Sequence, residues 1–243
     1  MTDIYEDFHK NTKAQKEIIP DYNFTYKIIL PIIHKYFKKG DKTILDIGCG
    51  SGTISLYLSS LGNRVHGIDI SKKAIASCKK SAKDLRLNTA SFEVINFPST
   101  RIGKSKYDSI LLLEVIEHIQ DHKQALELTA KALKPGGLLI LSTPSKNAPL
   151  YKLGLLSSFD ARVGHLRRYS EKEITTLISS SGFSVIKVIK NEGILRNFLF
   201  TNRYAGKVIR LIKFHLVDIV SFLDELSLKF LGESDFIVIA LKK

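Results

Sequence analysis

The sequence predicts an α/β fold: a doubly wound, mostly parallel seven-stranded sheet with N-terminal helices and a helical insertion before the last strand. Three observations carry this. Short apolar runs alternate with helical patterns along most of the chain, and a glycine-rich turn, DIGCGSG, joins the first run to the helix after it. The fourth run, YDSILLL, is apolar enough to be covered on both faces. At 243 residues, 44% hydrophobic and 9% aromatic, the chain has the length and composition of one large globular domain.

Each element follows from its own pattern. Apolar residues at helical spacing run from about Tyr22 to Phe37, and Gly40 and Asp41 punctuate before a buried strand, Thr43 to Ile47. Thr53 to Leu61 forms a helix ended at Gly62. Arg64 to Ile70 is a second strand with Asp69 at its end, and Ser71 caps a helix carrying Ala74, Ile75, Cys78 and Ala82 on one side. Phe92 to Ile95 and Tyr107 to Leu113 supply strands three and four. Asp121 with Gln124 has capping-box spacing and opens a helix ending around Leu133, before Pro135, Gly136 and Gly137; Leu138 to Ser142 is the fifth strand. Beyond Pro144 the periodicity breaks for about twenty-five residues, and so long a loop in a compact domain is expected to face substrate. Ser170 with Glu173 opens a further helix closing at Gly182, and Phe183 to Ile189 and Phe236 to Leu241 are the last two strands.

Doubly wound sheets bind ligands beyond the carboxyl ends of their strands. There the first strand runs into Asp46, Gly48, Gly50 and Gly52, where missing side chains let the backbone bend and a ligand approach it. The spacing DxGxGxG departs from the dinucleotide fingerprint GxGxxG, which argues against a dehydrogenase. Asp69, at the end of the second strand, is placed to accept hydrogen bonds from both hydroxyls of a ribose.

With the loop and this carboxylate together, the chain resembles the class I S-adenosylmethionine-dependent methyltransferases over about Asp41 to Gly182. Glu114-Val115-Ile116-Glu117-His118 is similar to the EVxEH signature of the branch containing the quinone-biosynthesis O-methyltransferases, and KPGG followed by LLILSTP to that branch's fifth strand. The resemblance implies S-adenosylmethionine as cofactor, held by Asp46, Gly48, Cys49, Gly50, Gly52, Asp69 and Ile70. Asn96 stands where such enzymes usually carry an aspartate against the adenine amino group, and its side-chain oxygen can accept in the same way. Phe97 would flank the ring and Glu114 would lie over the methionine end, while Ile47 and Cys49 read as spacers rather than reactive groups.

Methyl transfer to oxygen or nitrogen is an in-line displacement, so positioning dominates and contributes up to roughly 7 to 11 kcal/mol. A hydroxyl nucleophile also gains from a general base. His118, just beyond the fourth strand on the ligand side, is the first residue expected in that role. His118 and His122 are four apart, as zinc ligands on a helix would be, but a helix capped at Asp121 leaves His118 outside it, and no metal site is expected. Gly164-His165-Leu166-Arg167-Arg168-Tyr169-Ser170 is similar to HxRRYS segments in methyltransferases of the same branch. Arg167, Arg168 and Tyr169 are therefore expected at the substrate, the arginines gripping a carboxylate or phosphate, with His165 as the alternative base. The competing reading is a solvated basic turn paired with Glu171 or Glu173.

The net charge of +13 favours an anionic partner: nucleic acid, lipid headgroups or a phosphorylated small molecule. The fourth strand ends in LEVIEH rather than (D/N)PP(Y/F), and no aromatic-basic interleaving offers base stacking, so nucleic acid is disfavoured. An RNA methyltransferase is the runner-up, and a non-catalytic cofactor-binding module at a membrane a third reading. Two cysteines without a CxxC pair, and an N-terminus lacking the apolar core of a signal peptide, predict a cytoplasmic protein. Even the greasiest stretch, Phe198 to Leu231, is too broken by charge to span a bilayer.

Between the last two strands, Gly193 to Gly232 occupies a place where a hairpin would suffice. Ile209, Ile212, Leu216, Ile219, Val220, Leu223 and Phe230 fall near helical spacing, opposite Arg210, Lys213, Asp218, Ser221, Asp224 and Glu225, and Arg196, Arg203 and Lys207 precede them. This basic, amphipathic segment reads as a lid, a dimer interface or a peripheral membrane contact. The whole chain, 1–243, is thus expected to be one methyltransferase domain: a helical cap at 1–40, a cofactor-binding core at 41–143, a substrate-side loop at 144–170 and the insertion at 193–232. Its expected acceptor is a small molecule methylated at a hydroxyl: quinone-like, lipid-linked or an anionic saccharide.

Overall fold

The computed structural model describes residues 2–20, 23–100, 102–202, 204–205 and 215–243. The first strand, β1 (Thr43–Ile47), pairs in parallel with β2 (Arg64–Asp69) on one side and β4 (Tyr107–Leu113) on the other. Beyond them lie β3 (Ala90–Val94) and β5 (Leu133–Pro144), also parallel. β7 (Asp235–Lys242) enters antiparallel between β5 and β6 (Phe183–Asn191), so the order is β3-β2-β1-β4-β5-β7-β6. Six strands therefore end on one edge, and β7 begins there, with Asp235 opposite Pro144 and Asn191.

Alternation along the central strands assigns each face its helices, because successive side chains in a strand point to opposite sides. Leu45, Ile110, Leu112, Leu139 and Leu141 pack with α5 (His122–Ala132) and α8 (Glu171–Ser180). Ile44, Leu111, Ile140 and Ile237 pack on the other side with α2 (Ile29–Phe37) and α3 (Thr53–Ser60). A smaller cluster joins Leu56 and Phe92 to Ile75, Cys78 and Ala82 of α4 (Lys72–Asp84). The expected caps form: Ser71, Asp121 and Ser170 each accept a backbone N–H three residues on, and Glu173 returns the bond to Ser170.

Four expectations on the elements are corrected. The regular helix before β1 starts only at Ile29, because Pro31 lacks an N–H and is tolerated in a first turn but not mid-helix; Tyr22 lies outside the described residues. β5 starts at Leu133 rather than Leu138, since Leu133 pairs with Tyr107 before the Pro-Gly-Gly segment bulges and pairing resumes at Ser109 and Leu138. The long loop after Pro144 contains α6 (Pro149–Lys152) and α7 (Ser157–Val163), helices too short to show a period, and a bridge between Ser145 and Tyr169 ties its ends together. The insertion holds α9 (Ile194–Thr201) and α10 (His215–Leu231), while Arg203, Lys207, Ile209, Arg210, Ile212 and Lys213 lie outside the described residues. On α10, Asp224 faces inward at 3% exposure and Ile219, Phe222, Leu223 and Phe230 face outward. The reason is local: the Asp224 carboxylate accepts the N–H groups of Gly193 and Arg196, capping α9 from the neighbouring helix.

Candidate active site

At the carboxyl edge of the sheet a cavity of about 970 Å³ is walled by the strand ends, the first turn of the chain, α7 and α9. It touches Asp46, Gly48, Cys49, Gly50, Asp69, Ile70, Asn96, Phe97, Glu114, His118, His165 and Arg168, so the sequence brings most of the expected residues to one place. Gly52, Arg167 and Tyr169 are not on its wall.

The loop after β1 needs its glycines for packing. Gly48 has φ +70°, and a Cβ there would lie 2.4 Å from Val115; Gly52 has φ +78°, and a Cβ would meet the Cys78 sulfur at 2.8 Å. Gly52 therefore shapes the loop from behind. Asp69 aligns the loop from β2: its Oδ2 accepts the Gly50 N–H at 2.9 Å and its Oδ1 the Ser71 N–H at 2.8 Å, leaving further lone pairs toward the cavity. Asp46 is buried, accepts the Ser55 hydroxyl at 2.6 Å, and is pushed by burial up to about 7. The Cys49 thiol is raised well above its ordinary value by its contact with Cys78 and then by burial, so it is no nucleophile at neutral pH. Glu114, at φ +56° just after β4, accepts the Ser142 hydroxyl at 2.6 Å.

The two histidines converge from different elements. A short helical turn at Ile116–His118 carries the first, and the segment after α7 the second; their ring centres stand 4.9 Å apart. His118 Nδ1 sits 3.0 Å from the Gly164 carbonyl, which can only accept, so that nitrogen carries the proton and Nε2 is left with its lone pair. Burial lowers its pKa, favouring the neutral ring. His165 Nδ1 likewise donates to Asp160 Oδ1 at 2.9 Å. Both Nε2 atoms face the buried Glu117 carboxyl, at 3.7 Å from His118 and 3.9 Å from His165. Burial, reinforced by Glu114, pushes Glu117 well above the usual carboxylate range, and its Oε1 has no hydrogen-bond partner. Among the described residues, Glu117, His118 and His165 are also the one group close enough to share a cation. His122 is not part of it: it bonds the Tyr169 hydroxyl at 2.7 Å, as a helix start at Asp121 dictates.

The GHLRRY segment departs from an open anion grip. Arg168 is 4% exposed and clamps Asp160 through Nε at 2.9 Å and Nη2 at 2.6 Å, and Arg167 donates to the Ile119 and Gln120 carbonyls. Both forks are engaged within the protein, and neither pairs with Glu171 or Glu173. Burial alone would raise Asp160, but hydrogen bonds from His165 and Arg168 hold it below the usual range. Several wall residues escaped the sequence reading. Tyr5, Phe8 and His9 arrive from α1 (Thr2–Phe8) and its end, with Tyr5 edge-on to His118; Glu192, Asn197, Ser234 and Asp235 come from the β6 and β7 ends and α9. They carry no motif, and only the topology gathers them.

A family model described as a methyltransferase domain matches residues 22–188. A ubiquinone biosynthesis O-methyltransferase of Hydrogenovibrio crunogenus is 32% identical over 121 residues, covering 50% of this chain and 49% of that protein. One of Pelagibacter ubique is 35% identical over 115 residues, covering 47% of each. The chain spans about half the length of the curated relatives it matches. Among solved structures, a SAM-dependent methyltransferase from Methanosarcina mazei superposes with TM-score 0.61 at 25% identity, covering 88% of this chain and 98% of that one. A [4+2]-cyclase superposes with TM-score 0.69 at 14% identity over 99% of this chain and 92% of that one, a likeness of fold alone.

Proposed function

Because the chain belongs to the methyltransferase-domain family, whose model spans more than half of it, we propose that it methylates a hydroxyl of a small-molecule acceptor, with a histidine of the 118/165 pair as base. Its cofactor is S-adenosylmethionine, which when bound supplies an electrophilic methyl group on a positively charged sulfur. The residues present fit that group. The glycines leave backbone bare along the cavity, the Asp69 carboxylate has lone pairs for the ribose hydroxyls, and Ile70, Phe97 and Asn96 on the cavity wall offer apolar surface and a polar amide for an adenine. Glu114 takes the methionine end.

What the protein adds is position and proton transfer. The single observation that carries this reading is that both Nδ1 atoms donate to fixed acceptors, which leaves each Nε2 with its lone pair on two histidines that line one cavity. His118 Nε2 takes the hydroxyl proton as the oxygen attacks, and Asp160 holds the His165 ring in the matching tautomer. That the similar proteins are ubiquinone biosynthesis O-methyltransferases supports a quinone-like phenol as acceptor. Isothermal titration with S-adenosylhomocysteine tests the cofactor, and absence of binding would sink the reading. Replacing His118 and His165 by Ala in turn is expected to lower kcat by about 10²- to 10⁴-fold for the true base; unchanged turnover in both variants removes the pair from the mechanism.

A peripheral contact with an anionic bilayer is supported by one observation: Ile219, Phe222 and Phe230 on α10 are 55%, 66% and 78% exposed on a chain of net charge +13. Among the described residues no helix is long and apolar enough to cross a membrane. Such a contact gives a lipid-linked acceptor a route to the cavity.

A further inference from the structure

Glu117 is fully buried, yet one of its carboxyl oxygens has no hydrogen-bond partner. Its Oε2 accepts the Thr143 hydroxyl at 3.1 Å, and its Oε1 faces the two histidines, with His118 Nε2 at 3.7 Å and His165 Nε2 at 3.9 Å. Both separations are too long for a hydrogen bond, and the oxygen is shut off from water. A partner for it therefore sits in the gap between the three groups. That gap is reached past the rings, since His118 and His165 line the cavity and Glu117 lies behind its wall.

The gap has the dimensions of a cation site. The ligand atoms of Glu117, His118 and His165 all lie within 4.8 Å of one another. Ligands at about 2.0 to 2.1 Å around a tetrahedral ion stand about 3.3 Å apart, so each ring closes on the ion by roughly half an ångström. Each ring is also already aimed by a bond behind it. His118 Nδ1 donates to the Gly164 carbonyl at 3.0 Å and His165 Nδ1 to Asp160 Oδ1 at 2.9 Å, and Arg168 clamps Asp160 in turn. Metal-binding histidines donate their other ring N–H to a carbonyl or carboxylate in this way, which fixes the tautomer and presents the Nε2 lone pair. The Glu117 carbonyl accepts the Leu166 N–H at 3.0 Å, tying the turn that carries Glu117 and His118 to the segment that carries His165. Sequence spacing argued against a metal by pairing His118 with His122, which a helix start at Asp121 separates. The partner is instead His165, from a distant segment that no helical period reveals.

We propose that Glu117, His118 and His165 form a divalent-cation site with an open position toward the cavity. Two imidazoles and one carboxylate select an ion of the zinc or cobalt class over magnesium or calcium, which take mostly oxygen ligands. Three protein ligands leave a tetrahedral ion one position, and it lies on the cavity side because both rings line the cavity while Glu117 is behind them. A bound ion occupies both Nε2 lone pairs, so His118 takes a hydroxyl proton only in the ion-free chain. The site goes beyond the methyl-transfer reading and stands without it.

The test strips the full chain with EDTA, removes the chelator by dialysis, and titrates Zn²⁺, Co²⁺ and Mg²⁺ separately by calorimetry. One Zn²⁺ or Co²⁺ per chain is expected, bound at least roughly 100-fold more tightly than Mg²⁺. Glu117→Gln, His118→Ala and His165→Ala are each expected to weaken Zn²⁺ by roughly 10-fold or more, and Asp160→Asn, which frees the His165 ring, by a similar factor. His122→Ala, outside the cluster, is expected to leave the affinity unchanged. A measurement that needs no variant is the visible spectrum of the Co²⁺-loaded chain, where the intense bands of a four- or five-coordinate ion are expected and are lost when Zn²⁺ is added. No tight Zn²⁺ or Co²⁺ binding, equal affinity for Mg²⁺, an affinity unmoved by all three ligand variants, or the weak spectrum of six-coordinate Co²⁺ overturns the proposal. Turnover tests the methyl-transfer reading separately. A histidine base requires that the bound ion suppress it, and turnover that rises with ion occupancy supports the site and strikes His118 as the proton acceptor.

Discussion

His118 and His165 approach the same carboxyl from two separate segments, and each ring is oriented by the acceptor behind it. The sequence named both histidines, because a histidine past a strand end is visible in one dimension. Asp160 was not named, and Glu117 was named only within the EVxEH segment with no role of its own, since their roles come from distances set by packing. In the proposed reaction, Asp160→Asn frees the His165 ring and loosens Arg168, and is expected to lower kcat by roughly 10²-fold with KM for the methyl donor unchanged. The pH profile carries a sign. Burial lowers His118, and the base acts when neutral, so kcat/KM is expected to rise with pH and level off below its ordinary 6.5; a rising limb above that value excludes it. Asp46 gives a stability counterpart. Its folded pKa, about 7, exceeds its unfolded 3.8, so stability falls as pH climbs between these values and the loss is complete above about 7. Asp46→Asn is expected to flatten this slope in urea melts at pH 5 and 8, removing a penalty on the order of a few kcal/mol.

At the level of elements, the insertion is one unit because Asp224 of α10 caps the N-terminus of α9, which has no side-chain cap of its own. Helical spacing showed that such a helix exists, but not which face turns inward, because the buried acid is the exception to the apolar rule. Asp224→Ala leaves two buried N–H groups unpaired and is expected to cost about 1 to 3 kcal/mol, read as a lower Tm. Because Asn197 rides on α9 and lines the cavity, KM for the acceptor rises with it. An unchanged Tm would show that α9 is held by other contacts.

Over the whole molecule, the strand order gathers distant segments at one edge: the glycine loop and Asp69 on one side, the β6 and β7 ends on the other, with the histidines between. A cavity of about 970 Å³ has room for a cofactor and a second molecule together. The exposed apolar row of α10 adds a surface to the same side chains' story at larger scale. Phe222→Glu with Phe230→Glu is expected to abolish flotation with vesicles containing phosphatidylglycerol, and binding by the unaltered chain is expected to weaken as salt rises. Flotation unaffected by both changes removes the membrane contact.

By itself the sequence determined the fold class and set the glycine loop and Asp69 at the ends of neighbouring strands, because these follow from local periodicity and from a motif whose residues are neighbours in the chain. The tertiary structure decided the rest. It committed Arg168 to Asp160, turned Asp224 inward, and brought Glu192, Asn197 and Asp235 to the cavity wall. The physical reason is that a side chain's partner depends on the three-dimensional pairing of strands and helices, and charge that looks free along the chain is neutralised wherever folding brings an opposite charge within hydrogen-bond reach.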